Sequence, residues 1–443
     1  MGLKYIEPIK SIILLLLVLL SVTFTFSIWT YSPQLPIIEQ SPTVDISIGE
    51  RKKDHDIIKP YKFVIKYDEA LRGTTEQTKI DQVLKEMSTW KVSQLVREPN
   101  EMNKTEMKAF FEQTNQFTMY FQGDVPLPVY DKILPIEDDI PLPDRFSFDR
   151  LVVQWNAKEI AFRVHFISQA TGIHYHGRIS ANDMMTSYRN IVQEGQTLPV
   201  YAEVAVEEPV YLAVPAEPVK MSRSTYYQEE ISPTRFRDAL FNDPNAVRRS
   251  QVDATHEEFG DDHARLIVNT NTKMLNFFHP AAEIREPANP SVLLQDVIDS
   301  INEHGGWTDS YRYSYMNSYS RYVKFQLFIH GYPVFGEPMG TTEISQIYGE
   351  NRVFRYNRPY YTRGVLLHDE EIELPSGLEI ANALKESEKL DIGAVEEITV
   401  GYTMRHDQDQ RIFVMEPAWY YLIKGDWSRY VPDQGGGEQI GLE

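Results

Sequence analysis

With 443 residues the chain is long enough for more than one core, and its length predicts two to four domains. Hydrophobic residues at 42% and aromatics at 12% exclude wholesale disorder. A formal net charge of −20 repels phosphate backbones and argues against a nucleic-acid partner, while the absence of cysteine removes disulfides, thiolate metal sites, a thiol nucleophile and a lipidated cysteine.

The first predicted element is a membrane helix over residues 11–31. No charged residue interrupts it, its centre runs from Ile12 to Leu20 without a polar side chain, and about 20 residues at 1.5 Å each span a hydrocarbon core of roughly 30 Å. A cleavable signal peptide has a shorter apolar region and a small-residue cleavage site, whereas this segment continues through Phe24, Phe26, Ile28, Trp29 and Tyr31. Lys4 and Lys10 precede it and Glu39 and Asp45 follow, so the positive-inside bias leaves residues 1–10 in the cytoplasm and the body outside a single-pass anchor. Ser21 and Thr25 lie one turn apart, with Phe24 and Trp29 nearby. Small hydroxyls at such spacing join transmembrane helices, and they equally suit bonds to their own backbone four residues back.

Residues 32–36 leave the span as a Pro-interrupted stalk. The body then reads as α+β. In chain order the pattern predicts a strand over 61–67, helices over 75–96 and 104–116, an ordered Pro-rich crossing over 125–143, strands over 150–154, 159–168 and 173–179, a helix over 181–192, and strands over 200–206 and 210–214. Beyond Pro218 the order becomes helix followed by strands. It gives a helix over 233–241, an acidic loop at 256–263, strands over 264–270 and 273–278, and aromatic strands over 311–329 behind a helix opened by Asn289-Pro290-Ser291. A further helix opened by Leu374-Pro375-Ser376 precedes strands over 394–404, 411–415 and 419–423. The two Pro-Ser starts suggest a degenerate duplication. The expected limits are 32–205 for the N-terminal domain, 206–365 for a central domain, 366–432 for a C-terminal domain, and a flexible tail at 433–443.

No Gly-rich phosphate loop, His-Glu-x-x-His or Gly-x-Ser-x-Gly occurs in the chain. His174 and His176 put two imidazoles on one strand face, half of a metal site or simply the polar side of a hairpin. Glu257, Glu258, Asp261 and Asp262 with His256 and His263 lack the ordered spacing of a calcium loop and read as a solvated segment. Tyr311, Tyr313, Tyr315, Tyr319 and Tyr322 suit either sheet packing or a protein-contact surface. The residues therefore predict no catalytic, cofactor or metal site.

Residues 4–11 (Lys-Tyr-Ile-Glu-Pro-Ile-Lys-Ser), 331–336 (Gly-Tyr-Pro-Val-Phe-Gly) and 416–420 (Glu-Pro-Ala-Trp-Tyr) together resemble the YycH family over the whole chain. The resemblance implies a non-enzymatic regulator of the YycG (WalK) sensor histidine kinase, which controls cell-wall metabolism and viability. It implies action with YycI through transmembrane-helix contacts, with negative sign. It also implies three extracellular domains, the later ones a helix plus an antiparallel sheet like YycI and PepSY domains. Ser21, Phe24, Thr25 and Trp29 are then the expected contact residues, and a homodimer is compatible with the same helix. The alternatives from other classes are a membrane-tethered metal-dependent hydrolase and a structural envelope scaffold.

Overall fold

The computed structural model describes residues 14–25 and 47–432, except 138–140, 157–160, 205–208, 388–389 and 408. The chain divides into two units, Met1–Asp45 and Ile46–Glu443. In the first, residues 14–25 form a helix, α1, whose Leu14–Leu20 run and Phe24 are exposed. Among the described residues no helix is long and apolar enough to cross a membrane. Trp29, the two flanking lysines and the expected ends of the span lie outside the described residues.

The second unit opens with α2 (Asp54–Ile57) and enters an antiparallel sheet, seven-stranded among the described residues. Its strands are β1 (Lys62–Tyr67), β2 (Ala70–Thr74), β3 (Lys91–Arg97), β4 (Gln116–Pro126), β5 (Ser147–Asn156), β6 (Ala161–Ile167) and β7 (His174–Ser180), in the order β2-β1-β4-β5-β6-β7-β3. Period-2 alternation gives the sheet two faces. One carries Phe63, Ile65, Phe117, Phe162 and Val164 into the core, under α3 (Gln77–Met87) and α6 (Met184–Thr197). Against the other face, α4 (Lys104–Phe111) presses Met107 and Phe111 onto Val152 and Ile167.

Two local endings differ from the pattern in the sequence. Helix α3 stops at Met87 instead of running on to Val96, because the Ser88 and Thr89 hydroxyls donate to the carbonyls of Lys85 and Glu86 and close its last turn. Trp90 then turns inward, 1% exposed, and residues 91–97 form the edge strand β3. Across the Pro-rich crossing, Leu127–Tyr130 form the short helix α5, with Pro128 in its first turn where the missing N–H is harmless.

The short pair β8 (Tyr201–Glu203) and β9 (Ala213–Pro215) leads to a second sheet, 14-stranded among the described residues. It contains β10 (Val219–Glu230), then, after α7 (Pro233–Leu240), β11 (Arg248–Gln251), β12 (His256–Gly260), β13 (Arg265–Asn269) and β14 (Met274–Phe278). Helix α8 (Pro290–Glu303) follows. Next come β15 (Tyr311–Asn317), β16 (Tyr322–Ile329), β17 (Tyr332–Glu337), β18 (Glu343–Tyr348), β19 (Val353–Pro359) and β20 (Tyr361–Leu374). Helix α9 (Gly377–Glu386) precedes β21 (Glu397–Asp407), β22 (Ile412–Ile423) and β23 (Asp426–Arg429). The path is β11-β12-β13-β14-β19-β18-β16-β17-β21-β22-β10-β20, with β15 on β16 and β23 on β22; β17 and β21 run parallel. The expected limit between residues 365 and 366 falls inside β20.

The segment expected as an acidic loop is largely strand. Residues 256–260 pair on both sides, with β11 and β13, and the Asp261 side chain accepts from the amides of His263 and Ala264 to turn the chain. The strands expected over 411–415 and 419–423 are one strand, β22, which begins at Ile412. Pro417 lies opposite Tyr402 of β21, while β10 pairs only with 412–415 and β23 only with 420–423, so its missing N–H sits where neither neighbour needs it. The two Pro-Ser starts occupy different cap positions. Asn289 caps α8 with Pro290 as its first residue, whereas Ser376 itself caps α9 in a capping box with Glu379. Each helix is followed by a long antiparallel pair, β15/β16 and β21/β22.

Candidate functional sites

Three places are candidates for function: helix α1, a buried charged joint between the two sheets, and an imidazole cluster on the first sheet. In α1 the Thr23 hydroxyl donates to the Leu19 carbonyl (2.7 Å) and the Thr25 hydroxyl to the Ser21 carbonyl (2.9 Å). These are the i−4 backbone bonds that hydroxyls make in helices. Their donors are thus used within the helix, and the adjoining side chain that projects furthest is Phe24, 61% exposed.

The joint forms where the second face of β1 and β4 meets β21. Lys62 sits in β1, on the face whose alternate position is Val64, because Tyr61, Val64, Leu71, Tyr120, Tyr201, Ala213 and Phe328 make a separate apolar cluster there. Its Nζ lies 2.6 Å from Oε1 of Glu397 and 4.1 Å from the centroid of the Tyr120 ring. Arg150 of β5 stacks on the same ring at 4.4 Å, approaches Oε2 of Glu397 at 3.7 Å and binds Asp149 at 2.8 Å. Burial lowers the Lys62 ammonium below the ordinary lysine range, with Glu397 pulling the other way; burial likewise raises the Tyr61 phenol. Around this charged centre, Arg312 donates to Oε1 of Gln77 at 2.6 Å and the Tyr313 hydroxyl to the Asp124 carbonyl at 2.7 Å. Tyr311 and Tyr313 are thus buried packing residues, whereas Tyr319 is 81% exposed. The two motif segments 331–336 and 416–420 also pack together: the Phe335 and Tyr420 rings stack at 4.1 Å. Gly331 has φ +90°, and a Cβ there would stand 2.6 Å from the Thr75 carbonyl of the first sheet's lobe.

The imidazole cluster is built by register. His165 of β6 is directly opposite His176 of β7, His176 is opposite Val96 of β3, and the Glu98 amide donates to the His174 carbonyl at 3.1 Å. Alternation therefore puts Glu98, His165, His174 and His176 on one face, the one covered by α4. The His165 ring lies 6.0 Å from that of His174 and 5.8 Å from that of His176, and Phe110 of α4 meets it edge-on at 5.0 Å. Glu98, His174 and His176 each offer a ligand atom, all within 4.8 Å of one another. Burial holds the His165 pKa down at about 3, helped by His174, His176 and Arg163, and burial also lowers that of His174. Both imidazoles are accordingly neutral at physiological pH. The sequence singled out His174 and His176; Glu98 and His165 were invisible without the strand order. Glu257, Glu258 and Asp261 are instead spent on ion pairs and a turn, such as Glu257 with Arg249 at 2.8 Å.

This architecture defines a two-lobed α+β protein whose sheets are locked together through buried charge. The chain belongs to the YycH family: the YycH protein N-terminal domain matches residues 7–194 and the YycH protein C-terminal domain residues 209–433. The interval between the two matches holds β8, whose partner β9 opens the C-terminal match. The chain is 21% identical over 439 residues to the two-component system WalR/WalK regulatory protein YycH of Bacillus subtilis strain 168, covering 95% of each chain. Its fold matches the crystal structure of YycH from Bacillus subtilis with a TM-score of 0.71 at 18% identity, over 86% of this chain and 98% of that one.

Proposed function

We propose that this chain is a membrane-anchored, non-enzymatic regulator of a WalK-type (YycG) sensor histidine kinase. The observation that carries the reading is its match along 95% of both chains to a protein named as a WalR/WalK regulator. Residues 11–31 span the membrane with the N-terminus in the cytoplasm, and the two-lobed body stands outside. A second accessory protein, YycI, acts with it, and their joint effect is to hold kinase output, and with it cell-wall gene expression, down.

Contact runs through the transmembrane helix. Exposed Leu14–Leu20 and Phe24 give it an apolar surface for packing, and Ser21, Thr25 and Trp29 lie on the same stretch. Because Thr25 already donates to Ser21, its contribution to a partner is packing and its oxygen lone pairs. A tenfold shift between kinase states needs only about 1.4 kcal/mol of differential contact energy. Replacing residues 12–29 with poly-Leu tests the contact: the reading expects lost co-purification with the kinase and raised expression of WalR-dependent genes. Unchanged complex and output with the replaced helix would remove the helix from the mechanism.

A further inference from the structure

We propose that Glu98, His165, His174 and His176 form a binding site for one divalent transition-metal ion of the zinc class on the first sheet. The proposal goes beyond kinase regulation and does not depend on it.

Four observations carry it. First, strand register alone places the four side chains on one sheet face, from three adjacent strands. Second, the contact between His176 Nδ1 and Glu98 Oε1 is 2.9 Å long, yet Nδ1 has no hydrogen-bond partner among the described residues. Proximity without hydrogen-bond alignment is how two ligand atoms of one ion stand. Metal–ligand bonds of about 2.0–2.1 Å in a tetrahedron put neighbouring donors about 3.3 Å apart.

Third, His165 is 5% exposed and, among the described residues, neither of its ring nitrogens has a partner; His174 Nδ1, on a residue 8% exposed, has none either. Buried imidazoles whose nitrogens lack hydrogen bonds leave desolvation uncompensated unless something binds there. Fourth, the frame is rigid. Gly172 has φ +73° and a Cβ on it would fall 2.2 Å from the Met102 carbonyl, while one on Gly177 would fall 2.6 Å from Val92 Cγ1. The hairpin carrying His174 and His176 therefore has little room to shift.

Donor chemistry selects the ion. Three imidazoles and one carboxylate suit zinc, nickel or copper, whereas calcium asks for six to eight oxygens and magnesium for an octahedron of them. Glu98, His174 and His176 supply three donors within 4.8 Å of one another, and the His165 ring, 6.0 and 5.8 Å from the two other imidazoles, stands beside them as the fourth. The ion would tie the irregular strand β3, which carries a register shift between Ser93 and Val96, to its neighbour β7.

The test uses the full-length chain in detergent, with any polyhistidine tag removed, stripped with chelator and dialysed against zinc. Elemental analysis is expected to find one zinc per chain, cobalt substitution to give the visible absorption of a tetrahedral site, and zinc to raise the Tm. The His174→Ala/His176→Ala chain is expected to lose all three signals. Glu98→Gln is expected to bind zinc at least about tenfold more weakly. Glu98 and His176 are partly exposed, so Glu98→Gln and His176→Gln, checked by circular dichroism, carry the test if the alanine double variant misfolds. Substoichiometric zinc on the reloaded native chain, or zinc undiminished in folded variants, overturns the proposal.

Discussion

Lys62 of β1 and Glu397 of β21, 335 positions apart, form an ion pair of 2.6 Å in which both side chains are almost wholly buried, so the two lobes share one desolvated charge centre. A buried pair is costly to break from one side, because the remaining charge keeps its desolvation and loses its partner. Lys62→Met is expected to lower unfolding free energy by about 3–5 kcal/mol. Lys62→Met/Glu397→Leu is expected to lose less than the two single changes together, leaving Arg150 with Asp149. Urea unfolding of the four chains of this cycle measures the coupling, and simple additivity would contradict it.

Contact between the lobes also depends on a missing side chain. A Cβ on Gly123 of β4 would stand 2.7 Å from the Ser314 carbonyl of β15, which is backbone and has nowhere to go. Gly123→Ala is expected to destabilise by about 1–3 kcal/mol through overpacking. Gly260→Ala, whose nearest neighbour would be a Glu258 side-chain oxygen at 3.5 Å, is the control and should change the Tm much less.

Acid should weaken the second lobe through His304. Its ring is 7% exposed, and burial, reinforced by the Arg358 guanidinium, brings its pKa down to about 3. An unfolded histidine titrates near 6.5, so between about pH 6.5 and pH 3 the unfolded chain binds the extra proton. Stability therefore falls as pH falls through that window, by about 1.4 kcal/mol per pH unit from this residue. Denaturation midpoints at pH 7, 5 and 4 follow the slope, and His304→Gln should reduce it by that amount, leaving the share of His165, whose pKa burial also brings down to about 3.

The start of α9 rests on a reciprocal cap: the Glu379 amide donates to Ser376 Oγ at 3.2 Å, and the Ser376 amide to Glu379 Oε2 at 3.0 Å. Ser376→Ala is expected to cost about 1 kcal/mol, read as a lower Tm; Ser376→Asp should keep most of it.

Much of the body was legible from periodicity. The apolar face of α8, with Leu293, Leu294, Val297, Ile298 and Ile301, is buried as the 3.6-residue spacing requires, and β5, β6, β7, β13 and β14 lie within a few residues of their predicted ranges. Strand β4 was not, because burial on both faces hides alternation: residues 116–121 are buried throughout. Of the imidazole cluster, only the His174-x-His176 spacing was local. Glu98 and His165 joined it through pairing of β3 and β6 with β7, and non-local strand order leaves no periodic trace. The partner of Lys62 was hidden for the same reason, since a lysine in a strand reads as a solvent-facing residue until the opposing lobe is in place.

The most direct test of kinase regulation is WalR-dependent reporter expression in cells lacking this chain, compared with cells complemented by the native chain and by the chain with residues 12–29 replaced. Deletion is expected to raise output, the native chain to restore repression, and the replaced-helix chain to give no repression although it is present at equal level in the membrane. Reporter output that does not change on deletion would contradict kinase regulation by this chain.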